Sequence, residues 1–510
     1  MNTRRWIVGI LGLLFVLLAV WQIMAASQGL EITHVRSNQP PLTLVAPRDM
    51  PAGRAGDAPQ QPVTGGGGVD SQPLILIGHG IAGSRVIMRG FADTLAHAGY
   101  TVLLWDFDGH AANPRPMPRG TRDGLIGNVE AALAEAIRRG WSDGQRVAIV
   151  GHSMGSGVAL AYGQKHPDTA ATIAVSPTGQ AVTPELPRNL LLLAGSLEGG
   201  FVRNAEERLA EAGGEGGDAA AGTARKLLIV PGVEHISILF SPTAHAAVRE
   251  WLDDTFGPQP GARDHTDRRV AWFGLGVLGT LLAASALVPR PGPGPTHSES
   301  ASYRRRPLWF RIVSLILGAV GATCLLWLAS RAGLVLSPLM GLIVGGYVIV
   351  WFAIAGVISL LLLWSWPSRP GRRELLAGLL AFAALWLGVG LLGQLVWLPW
   401  LLIPKRLMLW PLSVVLCLPW FLAVGESLRD AGAAGRAGWW LVHSLLLGGG
   451  FFLALQLNPE LGFLILILPL FPIILGFHAW VTARQKGTWA YALSGALFIG
   501  WLLLAVFPLQ

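Results

Sequence analysis

Between residues 73 and 256 short apolar runs alternate with longer amphipathic stretches, and beyond residue 270 long apolar runs follow one another almost without a break. The first pattern predicts strands at 74–78 ("LILIG"), 101–105 ("TVLLW"), 146–150 ("RVAIV"), 171–175 ("ATIAV"), 189–194 ("NLLLLA") and 226–230 ("KLLIV"). Helical spacing falls at 85–98, 123–139, 154–166, near 203–212 and at 242–255. Uninterrupted apolar strands alternating with helices imply an α/β fold, a doubly wound and mostly parallel sheet covered on both faces. Ligands and reacting groups in such sheets gather at the carboxyl ends of the strands.

A helix crosses a bilayer with roughly 20 mostly apolar residues. The second pattern meets that length at 270–289, 308–330, 334–366, 375–403, 407–426, 439–457, 461–482 and 488–508, and a further run, Trp6 to Ala26, follows Arg4 and Arg5. An all-α polytopic transmembrane domain of about eight helices is therefore expected over 270–510. The first run exceeds the roughly 7–15 residues of a signal-peptide core, which favours an uncleaved signal-anchor over a cleaved leader. The expected organisation is the anchor at 1–29, an exported segment with a Gly/Pro-rich linker ("PAGRAGDAPQQPVTGGGGVDSQ", 51–72) at 30–72, the α/β domain at 73–257, a juxtamembrane linker at 258–269, then the membrane domain.

Composition agrees with that division. Only 13% of the residues are charged and 52% are hydrophobic, whereas a globular domain carries about 25% charged residues. The net charge of +8 is no nucleic-acid signal, because most arginines sit in short loops beside apolar runs. Lys and Arg collect on the cytoplasmic side of a membrane protein. With the N-terminus inside, that side holds fourteen of them (Arg4, Arg5, Arg290, Arg304, Arg305, Arg306, Arg311, Arg369, Arg372, Arg373, Arg429, Arg436, Arg484, Lys486) against six (Arg263, Arg268, Arg269, Arg331, Lys405, Arg406). The α/β domain is thus expected outside the cytoplasmic membrane, with the Arg268–Arg269 pair as the one local objection. Cys324 and Cys417 both lie in apolar segments, which excludes a disulfide framework and a cysteine metal site. His443, His478 and Glu426 are expected near helix ends at the interface, and Gln394 hydrogen-bonded to a neighbouring helix.

The candidate chemistry lies in the turns after the strands. Strand 146–150 is followed by "GHSMG" and then a helix, the strand–turn–helix context of a nucleophile elbow. Gly151 and Gly155 leave room for the sharp turn at Ser153, and the helix start presents backbone N–H groups to developing negative charge. "HGIAGS" (79–84), "GSLEGG" (195–200) and "PGVEHIS" (231–237) follow three further strands.

Together "LILIGHGIAGS", "GYTVLLWDFDGH", "VAIVGHSMGSGVALAYG", "LLLAGSLEG" and "PGVEHI" make residues 73–256 resemble the α/β-hydrolase family, of the esterase/lipase, serine-aminopeptidase-like type. The resemblance implies a Ser–acid–His triad of Ser153, Glu198 and His235, in the family's chain order. It also implies an oxyanion hole from the N–H groups of Ile81, after the His79–Gly80 turn, and of Met154. Two departures stand out. The acid is Glu rather than Asp, and Glu185 is an alternative to Glu198. About thirteen residues, with Pro177, Pro184 and Pro187, separate strands 171–175 and 189–194, too few for a cap, so an open site is expected. Asp106, Asp108, His152 and His245 are expected to be non-catalytic, and 211–224 to be a surface loop.

These residues imply a serine hydrolase acting through an acyl-enzyme on an ester, thioester or amide of a lipid or envelope substrate. It would need no metal and no organic cofactor. The same residues would serve an envelope acyltransferase. A third possibility is a membrane channel or scaffold carrying a catalytically silent hydrolase-like module.

Overall fold

The computed structural model describes residues 3–35, 40–48, 72–118, 123–287, 306–364, 367, 369–429, 431–485 and 487–510. The Gly/Pro-rich stretch 51–71 and Arg290, Arg304, Arg305 and Lys486 lie outside these. Helix α1 (Thr3–Ala25) leads into an eight-stranded sheet: β1 (Leu30–Val35), β2 (Leu42–Pro47), β3 (Leu74–Gly78), β4 (Thr101–Trp105), β5 (Val147–His152), β6 (Ala171–Val175), β7 (Leu190–Gly195) and β8 (Arg225–Val230). The strand order is β1-β2-β4-β3-β5-β6-β7-β8. β1 pairs antiparallel with β2 and β2 with β4, and every other pairing is parallel.

The period of two along each strand divides its side chains between two cores. Ile75, Ile77, Val102, Leu104, Ala148 and Val150 pack under α2 (Arg89–His97) and α6 (Pro242–Phe256). Leu74, Leu76, Leu103, Trp105, Val147 and Ile149 pack under α3 (Asp123–Arg138) and α4 (Met154–Lys165). Helix α5 (Gly199–Glu211) covers β7 and β8. The sequence pattern sets the start of this fold at residue 73, but the sheet starts at Leu30. "LEITHV" mixes polar with apolar residues and both segments stand ahead of the Gly/Pro-rich stretch, outside the strand–helix alternation; their antiparallel pairing with each other and with β4 makes them part of the sheet.

The helical half comprises α7 (Arg269–Leu287), α8 (Leu308–Arg331), α9 (Gly345–Leu363), α10 (Arg372–Leu385), α11 (Leu392–Val396), α12 (Pro404–Leu407), α13 (Trp410–Leu428), α14 (Ala433–Leu457), α15 (Leu464–Ile467), α16 (Leu470–Thr482) and α17 (Thr488–Val506). Among the described residues eight helices, α1 included, are long and apolar enough to cross a membrane, and Leu470–Thr482 is a shorter apolar helix. The nine predicted spans thus become eight. At 1.5 Å per residue the thirteen residues of α16 reach about 20 Å, short of the roughly 30 Å hydrocarbon core. The other long runs are broken too. Residues 339–341 form a 3-10 turn before α9 begins, and α10 passes through a π turn at Trp386–Leu391 into α11, which ends at Val396.

Helix α1 is packed rather than merely tethered. It lies against α7 with Gly12 at the crossing, where a Cβ would stand 2.5 Å from the Gly279 carbonyl oxygen. Small residues let helix backbones approach this closely in a bilayer. Of the Arg268–Arg269 pair, Arg268 is exposed, while Arg269 is buried and its Nε and Nη2 donate to Asp267 at 2.8 and 3.0 Å, with Asp93 of α2 at 3.5 Å.

The two halves are stitched together at the C-terminus. Leu509 N donates to Gly109 O (2.7 Å) and Met117 N to Leu509 O (2.9 Å), while Ile343 N, within the helical half, donates to Pro508 O (2.9 Å). Arg406, 1% exposed, donates to the carbonyls of Gly109 (2.6 Å) and Phe507 (2.7 Å). His443, His478 and Glu426, expected near helix ends at the interface, have buried side chains, and Glu426 stands two residues before the end of α13. They bond to Trp420 Nε1 (2.7 Å), Ser494 Oγ (3.0 Å) and Thr488 Oγ1 (2.7 Å). Gln394 bonds not to another helix but to Leu401 N, in the turn after α11 (3.0 Å).

Candidate active site

The parallel register places Gly78 of β3 opposite Gly151 of β5, so the turns leaving these two central strands lie side by side. Ser153 caps α4 with φ 52° and ψ −117°, a conformation that an L-residue holds only where its surroundings impose it. The flanking glycines make the turn possible. A Cβ on Gly151 would lie 2.0 Å from Gly155 O, and one on Gly155 would lie 2.6 Å from His79 O. Ser153 N donates to Val175 O at 2.9 Å, fixing the elbow to β6.

His79 shapes the neighbouring turn. Its Nε2 accepts from Phe107 N (3.1 Å), so Nδ1 carries the proton and donates to Gly80 O (2.7 Å). Gly83 N bonds the same carbonyl at 3.0 Å. Carbonyl and N–H of a trans peptide point in opposite directions, so holding Gly80 O fixes the Ile81 N–H facing the other way. Burial pushes the His79 imidazole down to about 4, which keeps this neutral tautomer. Among the described residues neither the Ile81 nor the Met154 N–H donates to a protein acceptor. Met154 is in the first turn of α4, where N–H groups have no intrahelical partner.

His235, in the turn after β8, lies with Nδ1 2.8 Å from Glu198 Oε2. A carboxylate there requires the proton on Nδ1 and leaves Nε2 as the acceptor. Glu198 caps α5, and its Oε1 accepts from Ser176 Oγ (2.7 Å) and Gly195 N (2.6 Å). Phe201 stacks on the His235 ring at 4.2 Å between centroids. His152 Nε2 donates to the His235 carbonyl at 3.0 Å. Glu185, the alternative acid, sits near Arg225, at the start of β8 and so at the opposite sheet edge from His235.

Ser176, Phe201 and the tie from His152 to His235 escape sequence reasoning. Ser176 alone leaves a trace, as the first residue past the apolar run of β6. Asp106 pairs with Arg85 and accepts from Arg85 N (2.8 Å), which holds the loop after β4. His245 bonds Leu239 O at 2.9 Å inside the core.

No cap is inserted between β6 and β7, yet the site is not open. Ser153, His152, His235 and Ile81 line a cavity whose far wall comes from the helical half: Trp397 after α11, Leu470 and Ile474 of α16, Leu503 of α17 and Phe507. The expectation of an open site rests on cap insertions within the α/β part, whereas the roof comes from residues more than 150 positions further along the chain.

Residues 73–221 match a family model described as the alpha/beta hydrolase fold, and the sheet-containing half has that fold. The matched stretch includes Ser153 and Glu198 and stops short of His235. An uncharacterized protein of Mycobacterium tuberculosis (strain ATCC 25618 / H37Rv) is 28% identical over 220 residues, 38% of this chain and 73% of the relative. A thermostable monoacylglycerol lipase of Bacillus sp. (strain H-257) is 30% identical over 102 residues, 20% of this chain and 39% of the relative. Among solved structures, a dienelactone hydrolase from Anabaena variabilis ATCC 29413 aligns with 19% identity and a TM-score of 0.31, over 45% of this chain and 98% of its own.

Proposed function

We propose that the protein is a membrane-embedded serine hydrolase that cleaves an acyl ester through an acyl-enzyme on Ser153. The observation that carries this reading is the His235 Nδ1–Glu198 Oε2 bond of 2.8 Å beside a serine held in the elbow conformation. Glu198 holds His235 with Nε2 free to accept a proton. His235 takes the Ser153 proton as Oγ attacks the carbonyl, and the N–H groups of Ile81 and Met154 receive the oxyanion. Protonated His235 then hands its proton to the leaving alcohol, and a water activated the same way releases the acid. A single oxyanion donor is worth about 3 kcal/mol of transition-state stabilisation. The name of the Bacillus relative, a monoacylglycerol lipase, fits an acyl ester as the bond class.

The reaction is assigned to the outer face of the cytoplasmic membrane. Arg4 and Arg5 of α1, Arg311 of α8, Arg372 and Arg373 of α10 and Arg436 of α14 all stand at helix ends away from the sheet. The sheet side holds fewer, among them the exposed Arg268, Arg331 and Lys405; Arg269 there is buried and paired with Asp267 and Asp93, and Arg406 is buried against carbonyls. That asymmetry supports a cytoplasmic N-terminus. The test is labelling of the membrane-embedded protein by a fluorophosphonate added to cells from outside. Labelling of wild type and none of Ser153→Ala is expected, and an unlabelled, folded wild type would sink the reading.

A further inference from the structure

The cavity beside Ser153 has two unlike walls. One is the site itself: Gly80, Ile81, His152, Ser153 and His235. The other is built by the helical half from Trp, Leu, Ile, Val and Phe alone, with no charged group among its lining residues. Water-soluble esters gain nothing from such a wall, whereas a hydrocarbon chain gains about 0.8 kcal/mol for each buried methylene.

Helix α16 turns one residue into this cavity and the next to the outer surface. On α16, Ile474 faces the cavity and is 9% exposed, while the adjacent Ile473 is 54% exposed on the outer surface. On the broken segment before it Ile467 lines the cavity and Ile465 faces out. This segment is also where helix is interrupted, by the 3-10 turn Pro459–Leu461, the four residues of α15 and the short α16. Irregular backbone at membrane depth is tolerated where it lines a cavity.

We propose that this cavity is the acyl-chain site of the hydrolase, with α15, α16, α17 and the turn after α11 as its walls. Its substrate is then a long-chain acyl ester of the surrounding bilayer, received past α16 from the leaflet on the sheet side. The helical half is part of the binding site rather than an anchor. This inference rests on the hydrolase reading above, since the chain it accommodates is that of the scissile ester.

The test compares kcat/KM for glycerol monoesters of increasing chain length in wild type, Leu470→Trp, Ile474→Trp and the outward-facing control Ile473→Trp. Wild type is expected to gain about fourfold per added methylene (about 0.8 kcal/mol) until the cavity is filled. The two cavity variants should lower the long-chain to short-chain ratio at least tenfold, with the control matching wild type. In parallel, Ser153→Ala, which cannot form the acyl-enzyme, is irradiated with a monoacylglycerol carrying a photoactivatable chain end. Crosslinks are expected within 463–474 and 502–507. Hydrolysis without chain-length preference, insensitive to the tryptophans, overturns the acyl site and leaves the hydrolase standing. Crosslinks without any hydrolysis uphold the chain site and remove the hydrolase reading. Neither hydrolysis nor crosslinks removes both.

Discussion

The carbonyl oxygen of His235 accepts a hydrogen bond of 3.0 Å from Nε2 of His152, the residue immediately before Ser153. The loop carrying the candidate base is thereby tied to the elbow carrying the candidate nucleophile. Burial and the nearby His235 hold the His152 imidazole well below its ordinary range, so it stays neutral and works as a strut. His152→Ala removes one buried hydrogen bond, worth about 1 kcal/mol, and the Ser153 labelling rate should fall about tenfold. A fall beyond about a thousandfold would place His152 in the proton transfer itself.

The choice of acid is decided by comparing two isosteric variants. Glu198→Gln keeps the shape but favours the wrong His235 tautomer, and kcat for an activated ester should drop about 10⁴-fold. Glu185→Gln, at the opposite sheet edge near Arg225, should stay within about twofold of wild type. Equal losses in the two variants would overturn the assignment.

Arg406 is predicted to hold the two halves together. Arg406→Met takes the charged donor from the buried carbonyl of Phe507 and one of two donors from that of Gly109, which keeps Leu509 N, at a cost of about 1–3 kcal/mol. Thermal unfolding in detergent should show a clearly lowered Tm. Labelling of Ser153 should slow as well, because the Gly109 loop leads back to Phe107, whose N–H donates to His79. An unchanged Tm would mean that the Leu509 strand bonds suffice.

Acid should destabilise the α/β half through its buried histidines. Burial depresses His79 and His245 to about 4 and His110 to about 3, against about 6.5 in the unfolded chain. Between those values the unfolded state binds more protons, so stability is full above pH 6.5 and falls as pH drops toward 4. The slope should be visible in thermal unfolding from pH 7.5 to 4.5, and His245→Gln should reduce it. A flat profile would show that these rings titrate normally.

The strands from β3 to β8 were legible because each is a continuous apolar run bounded by turn residues, a local property. Ser153, Glu198 and His235 were singled out by the family resemblance, each in a turn that follows such a run. Glu198 and Glu185 looked alike, since both follow strands. Only the fold separates them, by sending one to the carboxyl edge of the sheet and the other to the opposite edge. β1 and β2 were missed because they stand ahead of the Gly/Pro-rich stretch and apart from the strand–helix alternation, and only pairing with β4 joins them to the sheet.

By itself the sequence determined the α/β sheet, the elbow and the apolar helices, because hydrophobic period and turn chemistry act over a few residues. Tertiary structure alone decided that residues 397–507 roof the cavity over Ser153, that α16 is too short to cross, and that His443 and His478 are enclosed. The physical reason is that Leu, Ile, Phe and Trp face a lipid tail and a substrate cavity equally well. Ile473 and Ile474 are the same residue on adjacent positions of one helix, and only the packing of α16 beside the sheet makes one of them a wall of the site.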